Sequence, residues 1–256
     1  MLTFNNARTV ERALASVAFT DELVVVDSGS TDGTLDIVRA ATDRVIERQW
    51  PGFQEQYQFA QNQCSHDWVL FIDADEEISP LLADEIQTLL SGVAADDSFR
   101  GYNIHRRTFF LGRWILHGAW GRDSEIRLYN RQHSCWEGGL HASVEVDGDV
   151  SDLRHFYYHY TYEDIGDQLR TLDKYSTIGA SELEQRGRRC SLVRLIGNPI
   201  LGFVRDYVLR LGFLDGIPGL VIAVNTACAT FNKYAKLRER RLTEDDVRKD
   251  YDSKSE

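Results

Sequence analysis

Trp68-Val69-Leu70-Phe71-Ile72-Asp73-Ala74-Asp75-Glu76-Glu77 is the stretch that decides the fold. Five consecutive apolar residues that close on carboxylates read as a buried parallel strand with acids at its carboxyl end. Open α/β sheets bind their ligands beyond the carboxyl ends of the strands. Two acids one residue apart at such a tip can hold a divalent cation, and the cation can hold a pyrophosphate. The same acids also suit the first turn of the helix that begins near Ser79-Pro80, so this stretch alone leaves both readings open.

Working outward, the first hundred residues alternate strand and helix. The pattern predicts helices over 8–17, 35–41, 54–63 and 80–90, and strands over 22–27, 44–47 and 68–72. Repeated β-α units imply an α/β fold, a mostly parallel sheet with right-handed crossovers and flanking helices. Only Met1 to Phe4 precede the first turn, which reads as a very short strand or as a chain with residues upstream of Met1. Over 102–150 the pattern changes to short, aromatic, Gly-punctuated segments that read as mixed strands and loops. A helix is expected over 162–183, an apolar and basic helical block over 192–241, and disorder over 242–256. The domain division expected is therefore 1–160, 161–241 and a tail.

The composition excludes several classes. The chain has 256 residues, 43% hydrophobic and 27% charged, which is the range of a globular protein. Its net charge of −11 argues against a general nucleic-acid binder. Residues 183–241 hold eleven Lys/Arg against four Asp/Glu, a local +7 that leaves −18 for the rest. Cys64, Cys135, Cys190 and Cys228 are too widely spaced for a zinc or redox motif and read as reduced thiols. The opening residues carry no signal-peptide pattern.

A second acidic strand tip stands at Val24-Val25-Val26-Asp27-Ser28-Gly29-Ser30-Thr31-Asp32-Gly33-Thr34. Gly29 and Gly33 permit a tight turn, and Ser28, Ser30 and Thr31 supply hydroxyls and a helix N-cap. An acid at this tip suits hydrogen bonding to a nucleobase or ribose; a turn-forming Asp and a plain N-cap are the structural alternatives.

These residues carry a resemblance. Thr3-Phe4-Asn5, Val25 to Thr34 and Asp73-Ala74-Asp75-Glu76 resemble the family 2 glycosyltransferases of the GT-A fold. Phe110 to Trp120, Arg127-Leu128-Tyr129, His159-Tyr160-Thr161-Tyr162 and Leu209 to Gly219 resemble a narrower group, the WaaE-like lipopolysaccharide core β-glucosyltransferases. The resemblance covers about residues 2–240. It implies inverting, metal-dependent transfer of a hexose, glucose above all, from a nucleotide-diphosphate sugar such as UDP-glucose to a lipid-linked envelope glycan. Residues 1–100 would then be the nucleotide-sugar half and 101–160 the acceptor half. On matching positions Thr3, Asn5, Asp27 and Asp73 would contact the nucleoside, with Ser28 beside them, and Asp75 would ligate Mn²⁺ or Mg²⁺. Three positions depart from the pattern: Asn6 replaces a common Glu, Tyr57-Gln58 replaces Lys-Asn, and His141-Ala142 replaces His-Glu.

Inverting transfer needs a base for the acceptor hydroxyl and neutralisation of the departing diphosphate. Asp123, after Trp120-Gly121-Arg122, stands where the acceptor-loop acid of this family falls, with Glu125 and Glu145 as rivals. His141, after Gly138-Gly139-Leu140, would complete a mixed Asp/His metal shell; His117 and His159 are weaker candidates. Arg127 suits either a bidentate diphosphate contact or an ordinary salt bridge. Trp114 and Trp120 suit either a sugar face or the aromatic core.

Residues 192–241 combine apolar side chains with Arg194, Arg205, Arg210, Lys233, Lys236, Arg238, Arg240 and Arg241. The apolar stretch over 217–231 is interrupted by Pro218, Gly219, Asn225 and Thr226 and falls short of the ~20 residues of a spanning helix. It reads as an interfacial anchor for an anionic membrane; the resemblance favours that reading and implies an enzyme in the cytoplasm at the inner face of the bacterial inner membrane. Helices packed on the α/β domain, or a dimer interface, are the alternatives. Two rival functions fit poorly: a nucleotidyltransferase lacks its Gly-rich basic loop at Asn5-Asn6-Ala7-Arg8, and an Asp-x-Asp-x-Thr phosphatase lacks its Thr. A nucleotide-sugar-binding protein without transferase activity is the non-enzymatic alternative.

Overall fold

The computed structural model describes residues 1–92, 98–121, 123–139 and 142–242; the tail expected over 242–256 lies outside them from residue 243 on. The chain forms two compact units. One holds Met1–Trp114 and Trp120–Thr161; the other holds Ile115–Ala119 and the chain from Tyr162 on.

The first unit opens with three parallel strands, β1 (Leu2–Thr3), β2 (Val25–Asp27) and β3 (Val45–Glu47). The helices α1 (Val10–Ser16) and α2 (Thr34–Ala41) connect them, and α3 (Phe53–Gln63) leads to β4 (Trp68–Leu70). Val25 and Val26 are fully buried, as a β-branched run covered on both faces should be. Phe71 and Ile72 follow β4 and are also buried; Phe71 N–H donates to Arg127 C=O at 2.7 Å. A parallel bridge between Leu2 and Asp73 places this segment against β1, and Ala74 N–H donates to Leu2 C=O.

The structure adds a strand that the sequence did not predict, β5 (Glu76–Ile78), before α4 (Pro80–Leu90). Adjacent acids argue for a helix start, but Glu76 is 2% exposed and lies in a sheet. A buried carboxylate is tolerable only with a partner, and Arg127, far along the chain, supplies it. The start of α4 itself follows expectation: Ser79 Oγ accepts from Leu82 N–H, and Pro80 fills the first turn.

The region read as short segments contains two long strands, β6 (Phe99–Phe110) and, after β7 (Arg113–Ile115), β8 (Ser124–Asn130), β9 (Ser134–Glu137) and β10 (Ser143–Val146), β11 (Asp149–His159). In β6, Tyr102, Ile104, Thr108 and Phe110 are all buried, a period of two interrupted only at His105 to Arg107. The six-stranded sheet runs β4-β8-β6-β11-β5, with β7 on β6. β6 and β11 are parallel, β8 is antiparallel to β4 and β6, and β5 is antiparallel to β11. The result is the mixed, GT-A-type α/β sheet. β9 and β10 form a separate hairpin.

The second unit is helical. α5 (Ile165–Gln185) is capped by Asp164, whose side chain accepts from Asp167 N–H at 2.7 Å. α6 (Leu192–Phe203) runs into a π-turn over Val204–Leu209 and a 3₁₀ turn over Gly212–Asp215, and α7 (Gly216–Glu239) closes the unit. The expected interruption of α7 does not occur. Pro218 and Gly219 sit in its first turn, where a missing N–H breaks no helical bond, and Asn225 is held through its side chain, which donates to Gln168 Oε1 at 2.6 Å. The 3₁₀ turn and helix together make a 28-residue stretch, Gly212–Glu239, long and apolar enough to cross a membrane by length and composition.

Candidate active site

Strand register assembles the first part of the site. Thr3 pairs with Asp27, and Leu2 pairs with both Val26 and Asp73. Thr3, Asp27 and Asp73 therefore stand at the carboxyl ends of neighbouring parallel segments, where an α/β sheet binds ligands.

Asp27 is fully buried and organises the loop after β2. Its Oδ1 accepts from Gly29 and Ser30 N–H, both at 2.8 Å, and its Oδ2 from Ser30 Oγ at 2.5 Å. Gly29, with φ of 98°, supplies the left-handed turn this closure needs. Asn5, itself at φ 54°, binds the two loops together: its N–H donates to Ser30 Oγ and its Oδ1 accepts from Thr31 N–H, each at 2.8 Å. Thr3 Oγ1 donates to Asn6 Oδ1 at 3.3 Å. Ser28 N–H donates to Thr3 C=O, and Ser28 Oγ accepts from Gln56 Nε2 at 3.2 Å. Gln56 is fully buried, receives a bond from Arg48, and was missed in the sequence because nothing local distinguishes it from the other glutamines of α3.

The acids after β4 occupy different environments. Asp73 and Asp75 keep 27% and 25% of their side-chain surface, so a ligand can reach them, whereas Glu76 keeps 1%. Arg127 on β8 is the shared counter-charge: its Nη2 lies 2.7 Å from Glu76, 2.9 Å from Glu125 and 3.5 Å from Asp73. Glu76 Oε2 also accepts from Asp73 N–H at 2.9 Å, which fixes the backbone between the two. Burial pushes the Glu76 carboxyl up to about 7 against the opposing pull of Arg127. Burial likewise raises Asp73, again with Arg127 opposing.

Asp75 behaves in the opposite sense. Burial would raise its carboxyl, but His159 at the end of β11 outweighs that effect and holds it below the usual carboxylate range. His159 Nε2 lies 3.2 Å from Asp75 Oδ2, and Tyr160 N–H donates to Asp75 C=O at 2.9 Å. The imidazole responds in kind: burial would lower it, and the Asp75 charge raises it. The sequence ranked His159 low because only the pairing of β5 with β11 brings it to Asp75.

Asp123 lies at the mouth of β8, its side chain paired with Arg106 and its C=O accepting from Arg106 N–H at 2.9 Å. Glu125 stands between Arg106, at 3.6 Å, and Arg127, whose charge is the main cause that holds its carboxyl low. Glu145 is exposed on the β9–β10 hairpin. Trp114 packs among Phe109, Tyr158 and Tyr160, and Trp120 against Phe110. His117 belongs to the second unit, where its Nδ1 is 3.1 Å from Asp215. His141 lies outside the described residues.

Among the described residues no three His, Cys, Asp or Glu side chains converge on one metal position. The residues do fit a cation held by few protein ligands. Asp75, 25% exposed, offers an oxygen reachable from solvent with the His159 imidazole beside it, and among the described residues the buried His159 Nδ1 has no hydrogen-bond partner. Mg²⁺ in particular takes one or two carboxylates and draws its other ligands from water and substrate phosphates. A separate cavity of about 430 Å³ lies near the amino ends of the strands, between Met1, Val24, Cys64 and Trp68, and contains none of these acids.

Residues 1–140 match the family model described as glycosyl transferase family 2. An uncharacterised glycosyltransferase of Rickettsia typhi is 33% identical over 94% of this chain and 86% of its own length. The lipopolysaccharide core biosynthesis glycosyltransferase LpsC of Rhizobium meliloti is 28% identical over 92% of both chains. Among solved structures, glucosyl-3-phosphoglycerate synthase from Mycobacterium tuberculosis aligns with 74% of this chain and 79% of that one, at 19% identity and a TM-score of 0.49.

Proposed function

The chain belongs to glycosyl transferase family 2, and from that premise we propose that it transfers glucose from UDP-glucose, with inversion, to a lipopolysaccharide core or a related lipid-linked envelope glycan. The observation that supports this most is the grouping of Thr3, Asp27 and Asp73 at neighbouring strand ends, with Asp75 one residue on and reachable. The relation to LpsC supports the choice of acceptor.

In this reading the nucleoside lies against Thr3, Asn5, Asp27, Ser28 and Asp73. Asp27 already spends its oxygens on the loop, so its role is to hold the Ser28–Ser30 backbone in place as much as to touch the base. Asp75, with His159 beside it and His141 as the further candidate, would hold Mn²⁺ or Mg²⁺, which when bound would supply Lewis-acid neutralisation of the departing diphosphate. Arg127 keeps Asp73 and Glu76 together and adds positive potential beneath the phosphates. Asp123 takes the proton of the acceptor hydroxyl; its Arg106 partner orients it, and acceptor entry must loosen that pair before the carboxylate can act as a base. The enzyme works at the cytoplasmic face of the inner membrane, where a lipid-linked acceptor is presented.

Glucose transfer from UDP-glucose to purified core lipid with Mn²⁺, followed by mass analysis of the product, tests the reading. A product one hexose heavier is expected. UDP-glucose that neither binds nor turns over, while another nucleotide sugar does, would overturn the donor assignment.

A further inference from the structure

Fourteen of the twenty-four exposed large apolar side chains among the described residues fall within residues 192–224. They are ordered. On α6, Leu192, Val193, Ile196 and Ile200 recur at helical spacing on one outer face, and Val204 and Val208 prolong it through the π-turn. At the turn into α7, Leu209, Phe213, Leu214 and Ile217 are all exposed, Leu209 and Ile217 at 73% and 76%. Exposed apolar side chains concentrated in one stretch at helical spacing mark an interaction site rather than an ordinary protein exterior.

The charges around it select the partner. In residues 188–224 every exposed charged side chain is an arginine: Arg188, Arg189, Arg194, Arg205 and Arg210. Both acids of that stretch, Asp206 and Asp215, are 1% exposed. Asp206 is the partner of Arg205 at 2.8 Å and Arg210 at 3.3 Å, yet both guanidinium side chains stay half exposed. An apolar stretch whose own exposed charges are all arginines complements an anionic bilayer, whose acyl chains take the apolar residues and whose phosphates take the guanidinium groups.

The mode of attachment follows from α7. Although long enough to span, its most apolar stretch is only 33% buried, and polar bonds tie it to α5 beside the buried Ala180 and Leu237. Asn225 bonds Gln168, itself 1% exposed, and Lys236 Nζ lies 2.6 Å from Asp173 and donates to Ser176 and Thr177. A spanning α7 would have to drag the charges of α5 into hydrocarbon or abandon these bonds.

We infer that the second unit enters one leaflet only, with the turn over Leu209–Ile217 as its tip and the outer face of α6 lying along the headgroups. This deepens the peripheral location proposed above and rests on it for the membrane concerned. Attachment is chiefly apolar. Of the eight basic residues from Arg194 to Arg241, four (Arg205, Arg210, Lys236 and Arg240) already have carboxylate partners. The strong salt sensitivity that eight free cations would give is therefore not expected.

The test is flotation of the full chain with phosphatidylcholine vesicles, with and without 30 mol% (about a third) phosphatidylglycerol, at about 0.1 and 1 M NaCl. The wild type should bind the anionic vesicles best and lose less than about fivefold at high salt, since apolar burial is not screened. Leu209→Gln/Leu214→Gln/Ile217→Gln alters exposed positions only, so its melting temperature should hold while flotation falls at least about tenfold. Arg188→Gln/Arg189→Gln/Arg194→Gln should reduce binding to the level seen on neutral vesicles. Flotation unchanged by the apolar triple variant, binding abolished by salt, or no binding at all would overturn the inference. So would resistance to alkaline extraction, which indicates a span, or a lipid-free dimer that the apolar triple variant dissociates. UDP-glucose protection against heating, measured on the same proteins, reports the donor reading separately and should be equal in all of them.

Discussion

Glu76 shows how the fold uses a charge it cannot expose. The carboxylate is buried in β5, fixes Asp73 through that residue's N–H, and depends on Arg127. Removing one member of a buried ion pair leaves the other uncompensated, which costs about 3–5 kcal/mol. Arg127→Met should therefore lower unfolding free energy by that amount in urea titrations, and Glu76→Gln/Arg127→Met by less than the single change. Asp75→Asn should instead leave stability nearly intact and abolish Mn²⁺-stimulated transfer; full activity in this variant, or in excess EDTA, removes Asp75 from the metal. Asp123→Asn should reduce turnover by ~10²–10⁴-fold with unchanged UDP-glucose affinity. If Glu125→Gln is inactive and Asp123→Asn is not, the base lies one alternate residue along β8. The acids themselves were legible from sequence because they close apolar runs. Their partner Arg106 was not singled out and His159 ranked low, because each meets its acid only through long-range pairing.

At the scale of elements, helix caps and buried strand runs were readable because their chemistry is local: Ser79-Pro80, Asp164 and the Val24–Val26 run each act within a few residues. β5 and the continuity of α7 were not, since tertiary contacts overrode the local signals of adjacent acids and a Pro-Gly pair. The start of α7 is held by a backbone approach that only glycine permits. A Cβ on Gly219 would stand 2.0 Å from Gly212 C=O, and that atom cannot move aside without shifting the 3₁₀ turn. Gly219→Ala should cost at least about 1–3 kcal/mol, the range of overpacking. Gly202→Ala, in α6 with open space around its Cβ position, should stabilise by about 0.5–1 kcal/mol. Thermal unfolding of the two variants in parallel checks both signs.

For the whole molecule, acid stability should depend on a pair far from the proposed chemistry. Glu85 on α4 accepts from Arg154 and His155 N–H, at 3.0 and 3.1 Å, with His155 Nδ1 at 2.8 Å. Burial is the largest single influence and raises its carboxyl, but these bonds together outweigh it and hold the group below its ordinary 4.5. A depressed folded pKa stabilises fully above the unfolded value and is lost as pH falls through the folded one. Glu85→Gln should thus flatten the stability profile below about pH 4.5 and remove its contribution at neutral pH, as unfolding titrations at several pH values would show.

The six-stranded sheet has a practical consequence for anyone dividing this chain. The match to the family model ends at residue 140, although relatives align over most of the chain, and β11, which begins at Asp149, lies between β6 and β5 in the sheet. A protein cut at the end of that match would lose an interior strand, leave two neighbours with open edges, and strand Asp75 without the imidazole 84 positions later. Expressed alone, residues 1–140 should collect as aggregate, whereas residues 1–161 keep every strand of the sheet. The end of the family-model match falls inside the sheet that the matched residues build.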